Sequence, residues 1–168
     1  MLKDNMLKAL NDQVREETYS AYLYQAMSAF CDFKGYRGFA HWFDIQAQEE
    51  QIHARKIYDF ILERGGQVRL DTIKAPPFEF GTPLDMFKAA LEHEEYITDR
   101  INGLVELSHD IRDHASFNFL QWFIAEQVEE EATASELVDK LTLIGDHTGA
   151  LFQLDRELAG RPAPSAAE

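Results

Sequence analysis

Apolar residues recur along this chain in alternating steps of three and four, the spacing of helices that each bury one stripe. Four such stripes are legible. The first runs through Leu10, Val14, Glu17, Ala21 and Tyr24, the second through Phe39, Phe43, Gln46, Glu50, His53, Ile57 and Phe60. A third holds Leu84, Phe87, Leu91, Glu94, Ile97 (or Thr98), Ile101 and Val105. The fourth holds Phe117, Leu120, Ile124, Gln127, then Glu130 or Glu131, Ala134 and Val138. The punctuation agrees with long helices. Prolines stand at 76, 77, 83, 162 and 164, which leaves two long tracts without a residue that breaks a helix. Gly35 and Gly38 separate a helix at about 5–33 from one at about 36–64, which stops at Gly65-Gly66. Thr82-Pro83 reads as an N-cap with proline at the first helical position, opening a helix that runs to about His109. Asp113 or a neighbour caps a fourth helix ending near Gly145. Asp146 to Ala159 make a short fifth helix, and 161–168 reads as a disordered tail.

Helices of about 27–31 residues are ~40–46 Å long. In a chain of 168 residues, four of them can bury their stripes only against one another, as a bundle. The first and last joints are short and make antiparallel hairpins. The middle joint, ~17 residues, is long enough to travel the length of the bundle. The expected architecture is all-α: one domain over 1–160, a four-helix bundle with one long crossover connection and a short fifth C-terminal helix.

All four stripes are interrupted by polar residues near their midpoints, at comparable heights once the helices are laid antiparallel. A carboxylate facing a dry interior is costly unless it is paired or coordinated. Glu17, Glu50, Glu94 and Glu130 gathered in one layer cannot all stay ionised without cations, and two divalent ions match their formal charge. His53 follows Glu50 by three residues and shares its helix face. This Glu-x-x-His spacing is the one used by di-iron and di-manganese bundles. Oxygen ligands with one imidazole suit Fe(II) or Mn(II). The competing reading, solvated acidic faces, does not explain why four seams fail together.

Charge and cysteine content narrow the classes further. Sixteen Lys+Arg against thirty Asp+Glu leave a net charge of -14, which speaks against a binder of nucleic acid or an anionic membrane, since that would need a basic face. The N-terminus lacks the apolar core of a signal peptide, and no run approaches the ~20 apolar residues of a membrane span, so the cytoplasm is the expected location. Cys31 is the single cysteine, which excludes an intrachain disulfide and a CxxC motif. It reads as a small buried hydrophobe.

The run FNFLQWFIAEQVEEE from Phe117 to Glu131, the segment QEEQIHA from Gln48 to Ala54, and the pair Glu17/Tyr24 resemble a bacterial non-haem ferritin. The correspondence runs to about Ala159. The resemblance implies a ferritin-like bundle that stores iron. Such a subunit oxidises Fe(II) with O₂ or H₂O₂ at an internal di-iron ferroxidase centre and deposits ferric mineral inside a homo-oligomeric shell of 24 subunits. It implies that Glu17, Glu50, His53 and Glu94 are the ferroxidase ligands, with Glu50 bridging the two irons and His53 beside the first. Gln127 and Glu130 match the surroundings of the second iron, where Gln127 replaces a bacterioferritin carboxylate and should weaken that position. Glu49, Glu126 and Glu129, with Glu130, match a third iron site nearby. Tyr24 matches the tyrosine beside the centre, which supplies an electron when oxygen is reduced; its plainer reading is a buried tyrosine satisfied by a carboxylate. Trp122 reads better as a core or interface aromatic than as a second donor.

This chain also departs from the family pattern. Phe117 and Leu120 stand where animal ferritins line their three-fold pores with acids, and Ile52 and Arg55 leave only Glu49 of an acidic nucleation cluster. Haem is not expected, because Gln51 follows Glu50 where bacterioferritins have methionine. His41, His93, His109, His114 and His147 default to surface or interface roles. Two rivals remain. A non-storing di-iron oxidase or peroxidase of the rubrerythrin type would be expected to carry a CxxC module. A non-catalytic structural subunit would be expected to have lost part of the ligand set.

Overall fold

The computed structural model of the protein describes residues 2–164. They form five helices: α1 (Asp4–Lys34), α2 (Arg37–Glu63), α3 (Pro83–Asp110), α4 (His114–Ile144) and α5 (Thr148–Leu158). The chain first reverses at Gly35, whose φ of 88° closes α1 in the left-handed conformation that glycine adopts without strain. Tyr36, the N-cap of α2, offers no side-chain bond, and the cap is supplied from far along the chain. Asp155 Oδ1 accepts from the N–H groups of Gly38 (2.9 Å) and Phe39 (3.0 Å). That approach needs glycine: a Cβ on Gly38 would lie 1.5 Å from the Asp155 carbonyl oxygen.

The crossover after α2 climbs α1 step by step. Asn11 donates to the Gln67 carbonyl and accepts from the Arg69 N–H; Lys74 lies 4.5 Å above the Tyr19 ring; Phe80 meets Phe30 edge-on at 5.6 Å. It delivers the chain to the far end, where Thr82 and Asp85 form a capping box with Pro83 at the first turn of α3. α3 therefore runs antiparallel to α1, matching Arg100 with Gln13, His93 with Ser20 and Met86 with Cys31. A short turn, with Asp113 capping α4, makes the second hairpin. The expected all-α bundle, its single long crossover and its fifth helix are all present.

Two apolar clusters fill the bundle. One, at the α5 end, contains Met27, Cys31, Phe39, Phe43, Phe87, Leu141 and Leu154; the other contains Met6, Leu10, Ile57, Ile61, Ile101 and Leu120. Cys31 lies 3.6 Å from the Met86 sulfur, and burial pushes its thiol up to about 12, so it packs as an apolar group. A polar layer separates the two clusters.

Several seam positions differ from the expected stripe. Ala90, Phe123 and Leu137 are buried, whereas Leu91, Ile124 and Val138 are half-buried and Phe117 is 37% exposed. A period of 3.6 residues allows steps of three and four in either order, and packing against the neighbouring helices decides which order is used. Phe60 is half-buried too, stacked on Phe119 at 3.9 Å. α5 begins after Asp146, with His147 Nδ1 accepting from the Ala150 N–H as its cap. The start of the expected loose tail is held: Arg161 bonds to α2. The rest of that tail, 165–168, lies outside the described residues. Among the described residues, no helix is long and apolar enough to cross a membrane.

Candidate metal centre

The polar layer is assembled one helix at a time. Glu17 comes from α1, Glu50 and His53 from α2, Glu94 from α3, and Gln127 and Glu130 from α4. Glu17 and Glu50 are 1% exposed, Glu94 3% and His53 4%, which is too dry for unpaired carboxylates. One ligand atom from each of Glu17, Glu50 and His53 lies within 4.8 Å of the other two, and the same holds for Glu50, Glu94 and Glu130. Two groups of three ligand atoms thus share one carboxylate. Of the two candidates on α4, Glu130 joins this layer, while Glu131 accepts from the Thr98 hydroxyl.

Among the described residues, the hydrogen bonds into the layer come from neutral groups. Gln13 Nε2 donates to Glu17 Oε1 (2.9 Å), and its own oxygen accepts from Arg100 Nε (2.9 Å). Gln46 Nε2 donates to Glu50 Oε1 (3.2 Å) and Glu130 Oε1 (3.1 Å). The Tyr24 hydroxyl and Gln127 Nε2 donate to Glu94. These bonds leave the negative charge unbalanced. They also leave Glu17 Oε2, His53 Nδ1 and Glu130 Oε2 buried without a hydrogen-bond partner. Buried polar atoms are nearly always satisfied, and three that are not, around one carboxylate layer, fit a set of divalent cations.

The electrostatics point the same way. Burial raises all four carboxyls above the usual carboxylate range. Glu50 and Glu130 are raised furthest, because neighbouring carboxylates add to burial. Glu94 is partly eased by its bonds from Tyr24 and Gln127, and Glu17 by His53. Without cations such a layer holds protons, and cations displace them.

Beside the layer, between α2 and α4, lies a cavity of about 160 Å³. Glu49, Glu126 and Glu129 line it together with Glu130, so the three outer acids expected from the sequence meet at one place next to His53. Tyr24 is fully buried, stacked on Phe43 and edge-on to His93; burial, then the charges of Glu94 and Glu50, push its phenol well above the ordinary value. Trp122 meets His53 edge-on at 5.3 Å and carries Lys56 Nζ 3.6 Å above its face. His93 adjoins Glu94 but turns to Ser20 (2.8 Å), and burial lowers its pKa to about 4. Leu120 is fully buried in an apolar cluster.

Three contributors, Gln13, Arg100 and Arg161, were missed at the level of sequence, and Gln46 was placed on its stripe without a role. Gln13 and Gln46 each precede a buried glutamate by four residues, a Gln-x-x-x-Glu repeat on α1 and α2 that was there to be read. Arg100 and Arg161 carried no such signal, because their partners are distant in the chain.

A ferritin-like domain model matches residues 7–144, a span that takes in nearly all of the four long helices. The chain is 46% identical to the bacterial non-heme ferritin of Staphylococcus epidermidis, over 96% of this chain and 97% of that one. It is 42% identical, with the same coverage, to the Staphylococcus aureus protein of that name. The open pore ferritin of the hyperthermophilic archaeon Archaeoglobus fulgidus superposes with a TM-score of 0.96 at 48% identity, over 96% of this chain and all of that one. A humanized archaeal ferritin superposes with a TM-score of 0.97 at 47% identity, over 98% and 100%. With a family model over most of the chain and relatives this similar from end to end, the chain belongs to the ferritin family.

Proposed function

We propose that this protein is an iron-storage ferritin whose subunit oxidises Fe(II) with O₂ or H₂O₂ at the layer around Glu50. The ferric product then passes to a mineral inside a shell of 24 copies. One observation carries the reading: two groups of candidate ligand residues share Glu50, and three side-chain atoms of those residues are buried with no hydrogen-bond partner. Glu17, His53 and Glu50 hold the first Fe(II); Glu50, Glu94 and Glu130 hold the second. Each Fe(II) gives up one electron, so the pair reduces O₂ by two electrons, and two protons complete peroxide. Tyr24, bonded to Glu94, supplies a further electron when one is needed. Gln127 acts on the second position through Glu94, as a neutral donor to a carboxylate oxygen and to the backbone. Glu49, Glu126 and Glu129 form a third position, through which iron leaves the pair.

Assembly is supported by the ferritin relatives and by apolar surface that a lone chain leaves wet. Leu143 at the end of α4 is 88% exposed and Phe152 on α5 is 63% exposed. Iron loading tests the whole reading. After repeated aerobic Fe(II) additions, ferric ions on the order of hundreds should co-elute with one very large assembly in size exclusion. About two irons per chain on a small oligomer would keep the paired centre and replace storage with an oxidase of the rubrerythrin type. No oxidation at all would leave a structural subunit.

A further inference from the structure

Arg161 lies beyond α5, in a segment whose sequence reads as a free end, yet it is bound to α2 at several points. Nη1 and Nη2 both donate to Gln46 Oε1 at 3.0 Å, and Nη1 donates to the Trp42 carbonyl at 3.2 Å. Nη2 pairs with Glu49 Oε2. The guanidinium stacks 4.6 Å from the Trp42 ring centre, and the Arg161 carbonyl lies 2.8 Å from His41 Nε2. Pro164, three residues on, lines the same cavity as Arg161.

Two consequences follow from the chemistry of these groups. With its oxygen taken by two guanidinium N–H donors, the Gln46 amide must turn its NH₂ toward Glu50 and Glu130. Glu49, on the wall of the acidic cavity, faces a positive charge that does not titrate away, because a guanidinium stays protonated in a protein. His53 and Glu130 border the same cavity, and His53 Nδ1 and Glu130 Oε2 are buried without a hydrogen bond, so the place suits a cation better than it suits a wet acidic face.

We infer that Arg161 is a built-in counter-cation for this cavity: it takes the place of a metal ion against Glu49 and holds Gln46 as a donor to the paired centre. A divalent cation reaches the third position only by displacing it, since like charges repel at close range and compete for the same carboxylate. The inference rests on the layer being a metal centre. It makes the C-terminal segment, and not the acids alone, responsible for how many cations a resting subunit binds.

The test is an anaerobic Co(II) titration of the whole assembled protein, followed by the visible absorption of protein-bound Co(II). Arg161→Gln should bind about one more Co(II) per chain than the unaltered protein, and Arg161→Lys, which keeps the charge, should not. Arg161→Gln combined with Glu49→Gln should return to the starting count. Glu49→Gln alone should leave the count unchanged, because Arg161 already occupies that carboxylate. This arm stands even if Arg161→Gln fails to assemble. An unchanged count and affinity in Arg161→Gln would overturn the inference, and so would a lower count in Glu49→Gln. Failure of the unaltered protein to bind Co(II) would instead overturn the metal-centre reading; the difference between Arg161→Gln and its parent still judges Arg161.

Discussion

Glu50 offers a ligand atom to both groups in the polar layer, while Gln46 Nε2 donates to it and His53 Nδ1 lies 3.5 Å away. In the proposed centre, removing its carboxylate takes a ligand from two positions at once, whereas removing Glu17 takes one from the first alone. Glu50→Ala and Glu17→Ala are each expected to slow Fe(II) oxidation at least tenfold, about 1.4 kcal/mol in barrier. Both variants should still assemble, since a buried carboxyl with a raised pKa does not hold the fold together. Initial rates by ferric absorbance and elution volume check the two halves; unchanged rates in both variants would remove these residues from the chemistry. At this scale much was legible beforehand. A glutamate interrupting an apolar stripe announces itself, because hydrophobic neighbours at steps of three and four fix the direction it faces. Whether Glu130 or Glu131 faces inward was not legible, since one residue of phase separates them and Thr98 on another helix captures the second.

At the scale of elements, the junction of α5 with α2 is the most demanding contact in the fold. α2 lacks its own cap and borrows Asp155, and Gly38 is what allows the two backbones to meet. Alanine at an ordinary helical position gains up to ~1 kcal/mol over glycine. Here the added Cβ would have to displace a main-chain oxygen, and overpacking of that kind costs about 1–3 kcal/mol or more. Gly38→Ala is therefore expected to lower the melting temperature by roughly 3–10 °C. An unchanged circular-dichroism melt would mean that α5 does not dock where Asp155 places it. The four long helices and the crossover were readable from proline, glycine and stripe spacing. The borrowed cap was not, because Gly38 and Asp155 are 117 residues apart.

The whole molecule is two apolar cores joined across a charged layer, and its stability should depend on what fills that layer. Each carboxyl there has a folded pKa raised above the unfolded value of 4.5, so the metal-free fold holds more protons than the unfolded chain above that pH. Stability contributed by these groups is accordingly present below about pH 4.5 and is lost as pH rises through the raised folded values. Divalent cations held at the proposed centre should reverse the loss, binding best where the protons are easiest to displace. At a free cation concentration ~100 times Kd the gain is about 2.7 kcal/mol per site. Calorimetry with and without Co(II) should show a larger rise in melting temperature at pH 8 than at pH 5. Equal rises would mean that the cations do not bind at the buried carboxyls.

What this chain's sequence determined by itself is whatever depends on local periodicity: long helices, their joints, the single crossover, and a band of acids at mid-height with His53 one turn from Glu50. Helical geometry carries that information, because residues three and four apart share a face wherever the helix lies. The tertiary structure alone decided which atoms meet across helices. It set Gln46 between Arg161 and Glu130, turned His93 away from the layer toward Ser20, and brought Arg161 back against Glu49. Such contacts join residues more than seventy positions apart, and their cost and gain are set by packing and by the absence of water, neither of which a stripe along one helix can encode.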